Sequence, residues 1–298
     1  MYLFQTRIRR SKIGTLEETD WATIQTVGAA GTGANYWAIG DTKTIVLNGT
    51  VGTLALSNYE CKVFIIDFNY RDENGVYFQG FKTTDTTPVD VALCDSTFSS
   101  YKTDGTKIFN MQHWGYPNYG GWKGCDLRYD ILGSTNQAPS GYGSQASSGR
   151  TGYDATSAAK TTPVSNTLMA ALPSDLRSAL AEWTVYSDNV GGGTDTASNV
   201  TTSVDYLPLL AEYEVHGSRE FANSNESTSN KQKQMTYYAN GNSKIKYKHS
   251  DKSTAVHWWC RSAYYYDGNG FCFVASSGDT FAVGSSYSFG LAPAFKVA

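Results

Sequence analysis

The feature that most limits how this chain can fold is a succession of short runs in which apolar and polar residues alternate, separated by Gly and Asn. Residues 43–47, 53–56 and 62–69 follow one another in this way, and 77–82 and 89–94 continue the pattern. Side chains on a strand point to opposite faces in turn, so this is the period of strands with one face buried and one wet. The 29 glycines and 21 tyrosines of the chain fit the same reading, many short strands joined by turns. Helical signals are fewer. The segment 124–132 (GCDLRYDIL) places Leu127, Ile131 and Leu132 on one side, and 166–180 reads as two short helices broken at Pro173. The long stretches 133–162 and 188–202, rich in Gly, Ser and Thr, are expected to be ordered loops. Residues 206–215 (YLPLLAEYEV) read as a buried strand, and 216–252 as polar and irregular, before Trp258 and Trp259 return the chain to the core. The expectation is one α+β domain over 21–298, with short strands, few helices and long ordered loops, and 1–20 as an arm or first strand.

Length and charge bound the function. The 298 residues suffice for a sizeable core. Only 17% of the residues are charged and the net charge is −3, which argues against nucleic-acid binding. The basic run Arg7, Arg9, Arg10 and Lys12 reads as a solvated edge or arm. Cys61, Cys94, Cys125, Cys260 and Cys272 are scattered and odd in number, so reduced thiols are expected, with no zinc site or disulfide framework. The opening residues show no signal peptide and no segment is long enough to insert in a membrane.

Several short motifs carry little. Ser157-Ala158-Ala159-Lys160 and Ser187-Asp188-Asn189 match two elements of the penicillin-recognising enzymes, but Pro163 follows the first closely and no KTG occurs. Gly28, Gly31 and Gly33 lack phosphate-loop spacing and read as a turn. Residues 72–75 (DENG) lack the remaining ligands of a calcium loop and suit a hairpin between Phe68 and Tyr77. The cluster 114–122, with Trp114, Tyr116, Tyr119 and Trp122, suits either a carbohydrate-stacking platform or, preferably, a glycine-punctuated core loop. His113, His216, His249 and His257 are too dispersed to suggest a metal triad. No cofactor or metal ligand set is expected.

Residues 261–290 (RSAYYYDGNGFCFVASSGDTFAVGSSYSFG) contain no Lys, Glu, Gln, Met or Trp, while the rest of the chain uses all five. These five types share no size or polarity that a fold would exclude together. They do share a property of the genetic code: none has a codon ending in C or T. Trp258-Trp259-Cys260-Arg261-Ser262 lead into the stretch, and Gly290-Leu291-Ala292-Pro293-Ala294-Phe295 closes it. The pair resembles the WWLRSP…GVRPAF ending of the DUF6273 family. Tyr36-Trp37-Ala38-Ile39-Gly40-Asp41, the segment from Gly121-Trp122 to Leu132, and 207–215 followed by Gly217 fit as well, so the resemblance spans about 21–298. It departs at Cys260, where Leu or Glu is usual, and at Ala263, where Pro is usual.

That ending is similar to those of C-type-lectin-like domains of the formylglycine-generating-enzyme type, and the resemblance implies their fold. The same scaffold carries the variable proteins of diversity-generating retroelements, in which template adenines are miscopied and AAC or AAT codons become any codon ending in C or T. The resemblance therefore implies a non-enzymatic, hypervariable binding protein with a variable segment at about 261–290. It would sit on a phage virion or bacterial cell surface and bind a protein or glycan there, with its oligomeric state open. Tyr264, Tyr265, Tyr266, Asp267, Asn269, Phe271, Phe273, Ser285 and Ser286 are expected to form one exposed ligand-binding surface, with Trp258, Trp259 and Phe295 beneath it. Tyr, Ser, Gly and Asn are also the vocabulary of antibody loops, combining rigid rings with adaptable hydrogen bonding. The alternatives are a copper oxidase of the formylglycine-generating type, for which Cys260 and Cys272 are the candidate ligands, and a structural module without diversification.

Overall fold

The computed structural model describes residues 13–115, 117–136 and 157–298. Residues 13–20 form a turn against the main sheet rather than a strand: Leu16 is buried, and Lys43 donates to the Glu17 carbonyl at 3.0 Å. Asp20 then caps helix α1 (Trp21–Ala29), its carboxylate accepting from the Thr23 N–H at 2.6 Å. The basic run and the centre of the 133–162 stretch, from 137 to 156, lie outside the described residues.

The alternating runs become strands. β1 (Thr42–Val51), β2 (Leu54–Phe68) and β3 (Val76–Lys82) are successive antiparallel hairpins, and residues 69–75 make the turn expected between Phe68 and Tyr77. All seven residues of β3 are buried, because it is the middle strand of five. β4 (Val91–Ala92) follows. After α2 (Asp126–Asp130), α3 (Ser157–Thr161), α4 (Leu168–Ala171) and α5 (Ser174–Ala179) comes β5 (Leu180–Ala181). Both helices expected within 166–180 are present, with the Thr167 side chain capping α4 through the Ala170 N–H. β6 (Trp183–Asp188) and β7 (Val200–Asp205) make a long-looped hairpin of their own.

The strand expected over 206–215 is not formed. Pro208 has no N–H to give a ladder, and the chain runs extended into the one-turn helix α6 (Glu212–His216), ended by Gly217 in the left-handed region. The nominally irregular 216–252 holds α7 (Thr236–Ala239), β8 (Lys246–Lys248) and the start of β9 (Asp251–Val256). β10 (Trp258–Ala263), β11 (Gly270–Val274) and β12 (Thr280–Gly284) form a three-stranded antiparallel sheet, and β13 (Ala294–Val297) returns to pair with β3 and β5. The architecture is α+β: curled, mostly antiparallel sheets in orders β1-β2-β3-β13-β5, β10-β11-β12 and β4-β8-β9, with short helices packed around them.

Trp258 and Trp259 are fully buried, as their apolar surface requires. Phe295 stacks on Phe78 with centroids 5.2 Å apart, within the five-stranded sheet. Behind Trp258 lies an unusual charge cluster. Lys82 is paired with Asp90, and buried Lys246 approaches the same carboxylate only to 3.9 Å, between the Phe64 and Trp258 rings. Two ammonium groups thus share one carboxylate, and burial pushes Lys246 from 10.5 down to about 8.

Below about pH 8 the folded chain therefore carries the full cost of a protonated, desolvated Lys246. Between about 8 and 10.5 the unfolded chain binds the extra proton, so this group's contribution to stability rises with pH through that window. Lys246→Met should raise stability at pH 7 by roughly 1–3 kcal/mol, since Asp90 keeps Lys82. The gain over wild type should shrink towards pH 10.5, read by denaturant unfolding of both proteins across the range.

Candidate functional site

The segment joining β10 to β11 is a tight hairpin over 264–269. It is closed by the Tyr264 N–H to the Gly270 carbonyl at 3.0 Å, and the Asp267 carboxylate accepts from the backbone and side chain of Asn269, each at 3.0 Å. An Asx turn of this kind lets consecutive side chains share one side, which a strand forbids. Tyr264, Tyr265 and Tyr266 therefore pack on one another, with centroids 6.0 to 6.4 Å apart, and Tyr266 is 76% exposed.

The hairpin is held from outside. The Asn118 amide donates to the carbonyls of Tyr264, Asp267 and Gly270, at 3.2, 3.3 and 2.7 Å, while its oxygen accepts from the Gly192 N–H at 2.8 Å. Two glycines allow this approach. A Cβ on Gly121 would sit 1.8 Å from the Asp188 carbonyl, and one on Gly191 2.1 Å from that of Asn118; both residues also have positive φ.

The aromatic surface continues across chain segments. Phe221 lies edge-on to Tyr264 at 5.6 Å and stacks with Phe281 at 6.2 Å, and Phe281 is 47% exposed. Arg219 seats its guanidinium 5.0 Å from the Tyr265 ring centroid and 3.7 Å from Asp195. The platform under Phe221 is a carboxylate. Glu212, fully buried, accepts from the N–H groups of Glu220, Phe221 and Ala222 at 2.7 to 3.2 Å, and from the Thr280 hydroxyl at 2.7 Å. On the other flank, the Ser285 N–H donates to the Asn269 carbonyl at 2.8 Å and the Ser286 carbonyl accepts from Lys102, leading to exposed Tyr101, edge-on to Tyr287.

Five of the nine expected surface residues, Tyr264, Tyr265, Tyr266, Asp267 and Asn269, come together on this face. Exposure is corrected for the other four: Phe271, Phe273, Ser285 and Ser286 are buried. β11 is the middle strand of its sheet and is covered on both sides. Phe273 is enclosed by Phe281, Phe289 and His257, with Phe289 at 4.8 Å, while Cys272 and Val274 turn inward. The two serines are drawn in by their backbone bonds to Gln112, Asn269 and Lys102. Trp259 does lie beneath the face, against Phe273 and Phe289, whereas Phe295 belongs to the five-stranded sheet. Phe221, Arg219 and Asp195 escaped the sequence reading. The first two sit in a segment read only as polar, and nothing local in it announces that it bridges to Tyr264.

The 114–122 cluster divides. Trp122 is core, donating to Asp205 at 3.1 Å; Trp114 is exposed and stands over Gly105; Tyr116 lies outside the described residues. Cys260 and Cys272 are both enclosed, and burial pushes both thiols well above their ordinary range. Cys61, Cys94 and Cys125 are likewise free and buried. Ser157 opens a single helical turn, and Lys160 donates to the Ser178 and Leu180 carbonyls. Among the described residues, no group of three His, Cys, Asp or Glu side chains is placed to hold a metal ion. Deeper still, Glu226 accepts from the Asp188 N–H, Ser262 and Gln232, and burial pushes its carboxyl up to about 7.

What the geometry defines is a rigid α+β frame carrying a multi-segment aromatic face. The chain belongs to the DUF6273 family, a domain of unknown function, whose model matches residues 112–298. That span contains the hairpin, Asn118, Glu212 and all of the aromatic platform apart from Tyr101. No curated protein and no solved structure matches the chain.

Frame and face should separate in a stability series. Tyr265→Ala and Tyr266→Ala should each change unfolding free energy by no more than about 0.5 kcal/mol. Trp259→Ala and Phe271→Ala should each cost roughly 3–5 kcal/mol. Equal losses across the four variants in chemical denaturation would mean that the hairpin rings are part of the core.

Proposed function

We propose that this chain is a non-enzymatic ligand-binding protein whose contact face is rewritten by a diversity-generating retroelement, displayed on a phage particle or a bacterial surface. The scaffold on this reading is lectin-like, of the formylglycine-generating-enzyme type. The observation that carries it is the coincidence of two independent features at 264–269: a codon signature in the sequence, and a hairpin of mutually packed tyrosine rings, half-buried at Tyr264 and Tyr265 and exposed at Tyr266, fixed by residues outside the signature. Asn118 and Glu212 lie outside 261–290, and they orient the hairpin and the Phe221 loop beside it through bonds to backbone groups. Backbone bonding is indifferent to which side chains the hairpin bears, so a frame built this way tolerates rewriting of its face.

The signature also spans residues that cannot vary freely. Arg261, Ser262 and Phe271 are buried within it, so diversification would be confined to codons of the hairpin, Phe281 and the neighbouring turns. Tyr, Asp and Asn at the hairpin offer ligands rigid contact area and hydrogen bonds at little cost in side-chain entropy. An oxidase using Cys260 and Cys272 gains nothing from this geometry, because both thiols are enclosed and held protonated.

Sequencing the DNA beside the gene tests the proposal. The expected result is a second, near-identical copy of the codons for 258–295, differing only at adenines and accompanied by a reverse-transcriptase gene. Codons for 264–269 lacking C or T at the third position, or a locus without the repeat, would overturn it.

A further inference from the structure

The aromatic face carries a charge pattern that names the chemistry of its ligand, an inference that rests on the binding role proposed above. We propose that the face takes a cationic polypeptide segment, rich in arginine or lysine, presented by a surface protein. Three acidic residues accompany the rings: Asp267 follows Tyr266 in the chain, exposed Glu220 precedes Phe221, and Asp195 reaches Arg219 beside Tyr265. Among the described residues, the cation set beside these rings is Arg219, and it is already engaged with Asp195, the Ala222 carbonyl and the Tyr265 ring, while Lys102 on the far flank is paired with Asp104.

Aromatic faces are electron-rich and attract cations, most strongly where a carboxylate stands close. Arg219 displays the arrangement within the protein itself: a guanidinium on a tyrosine, held in place by an aspartate. Tyr266 offers a second, exposed ring and Asp267, next to it in the chain, a carboxylate bonded to the Asn269 N–H groups, and among the described residues no cation of the chain is seated on Tyr266. A ligand arginine or lysine would complete the second pair. A neutral glycan could stack on the rings but would draw nothing from the net negative border, and an anionic polymer would be repelled by it.

Calorimetric titration of the full chain with an amidated tetra-arginine peptide tests this, with tetra-glutamate and maltotetraose as comparison probes. Tetra-arginine should bind and the other two should not. Asp267→Asn combined with Glu220→Gln should weaken binding about tenfold, as should Tyr266→Ala, and added salt should weaken the wild type. Asp85→Asn removes an exposed carboxylate paired with Lys252 at 2.8 Å, outside the face, and should change nothing. These are surface changes, and unchanged melting temperatures verify that each variant is folded. Absence of tetra-arginine binding, equal binding of either comparison probe, or equal weakening by Asp85→Asn would overturn the cationic assignment. A locus with the template repeat but a face indifferent to tetra-arginine would remove this inference alone; a locus without the repeat would remove the diversification reading, whatever the peptides do.

Discussion

The fold is organised around one buried arginine. Arg261 uses all five of its N–H groups inside the protein: Nε donates to Ser187, Nη1 to Glu214 and the Leu209 carbonyl, and Nη2 to Glu214 and the Tyr186 carbonyl. Glu214 in turn accepts from the Tyr70 hydroxyl at 3.0 Å and from the Ala211 N–H at 2.9 Å. One bidentate pair thus joins β10, α6, β6 and the turn after β2. A buried pair of this kind adds little net stability over a well-packed apolar substitute, because both charges have lost water. Its contribution is to admit a single arrangement, since any shift of one element would strand a desolvated charge at a cost of roughly 3–5 kcal/mol. The beginning of the sheet that bears the candidate site is therefore located by electrostatics before its side-chain packing is considered.

Around this pair the interior is more polar than the composition suggests. Arg128 and Trp122 converge on Asp205, which also accepts from Ser134 and Ser203, and Asp95 gathers Thr53, Thr97, Phe109 and Ser288. Each carboxylate ties together segments distant in sequence. A domain with long loops and short helices has many backbone groups that no ladder satisfies, and these side chains supply the missing partners. That is how loops such as 95–110 and 188–199 are kept ordered without regular structure.

The sequence was most legible where period and burial agree. The strands at 43–47, 62–69 and 77–82, the hairpin after Phe68, the paired helices of 166–180 and the burial of Trp258 and Trp259 all follow from local pattern. It was least legible where a residue's neighbour is remote. Glu212, Glu214 and Glu226 look like surface residues because charge is ordinarily solvated, and only the fold reveals their donors. Residues 206–215 read as a strand from their apolar run, which does not register that Pro208 has no N–H to give a ladder. Phe273 was read as surface because alternation predicts only which side of the sheet it takes; the cover from Phe289, sixteen positions on, has no local signature. The tyrosine hairpin was legible for a different reason, since its clue is the absence of five residue types across 261–290 rather than packing.

Glu212 has a consequence for any lineage of such proteins. Its carboxylate clamps the backbone of 220–222, so Phe221 keeps its post beside Tyr264 and Phe281 although its own codon lies far outside the stretch that would be rewritten. Every new version of the hairpin would be read against the same unmoving ring. On the diversification proposed above, a repertoire built on this plan would not explore shape at random: it would compose variations around one sustained note, and its members would inherit a shared bias in what they can grasp.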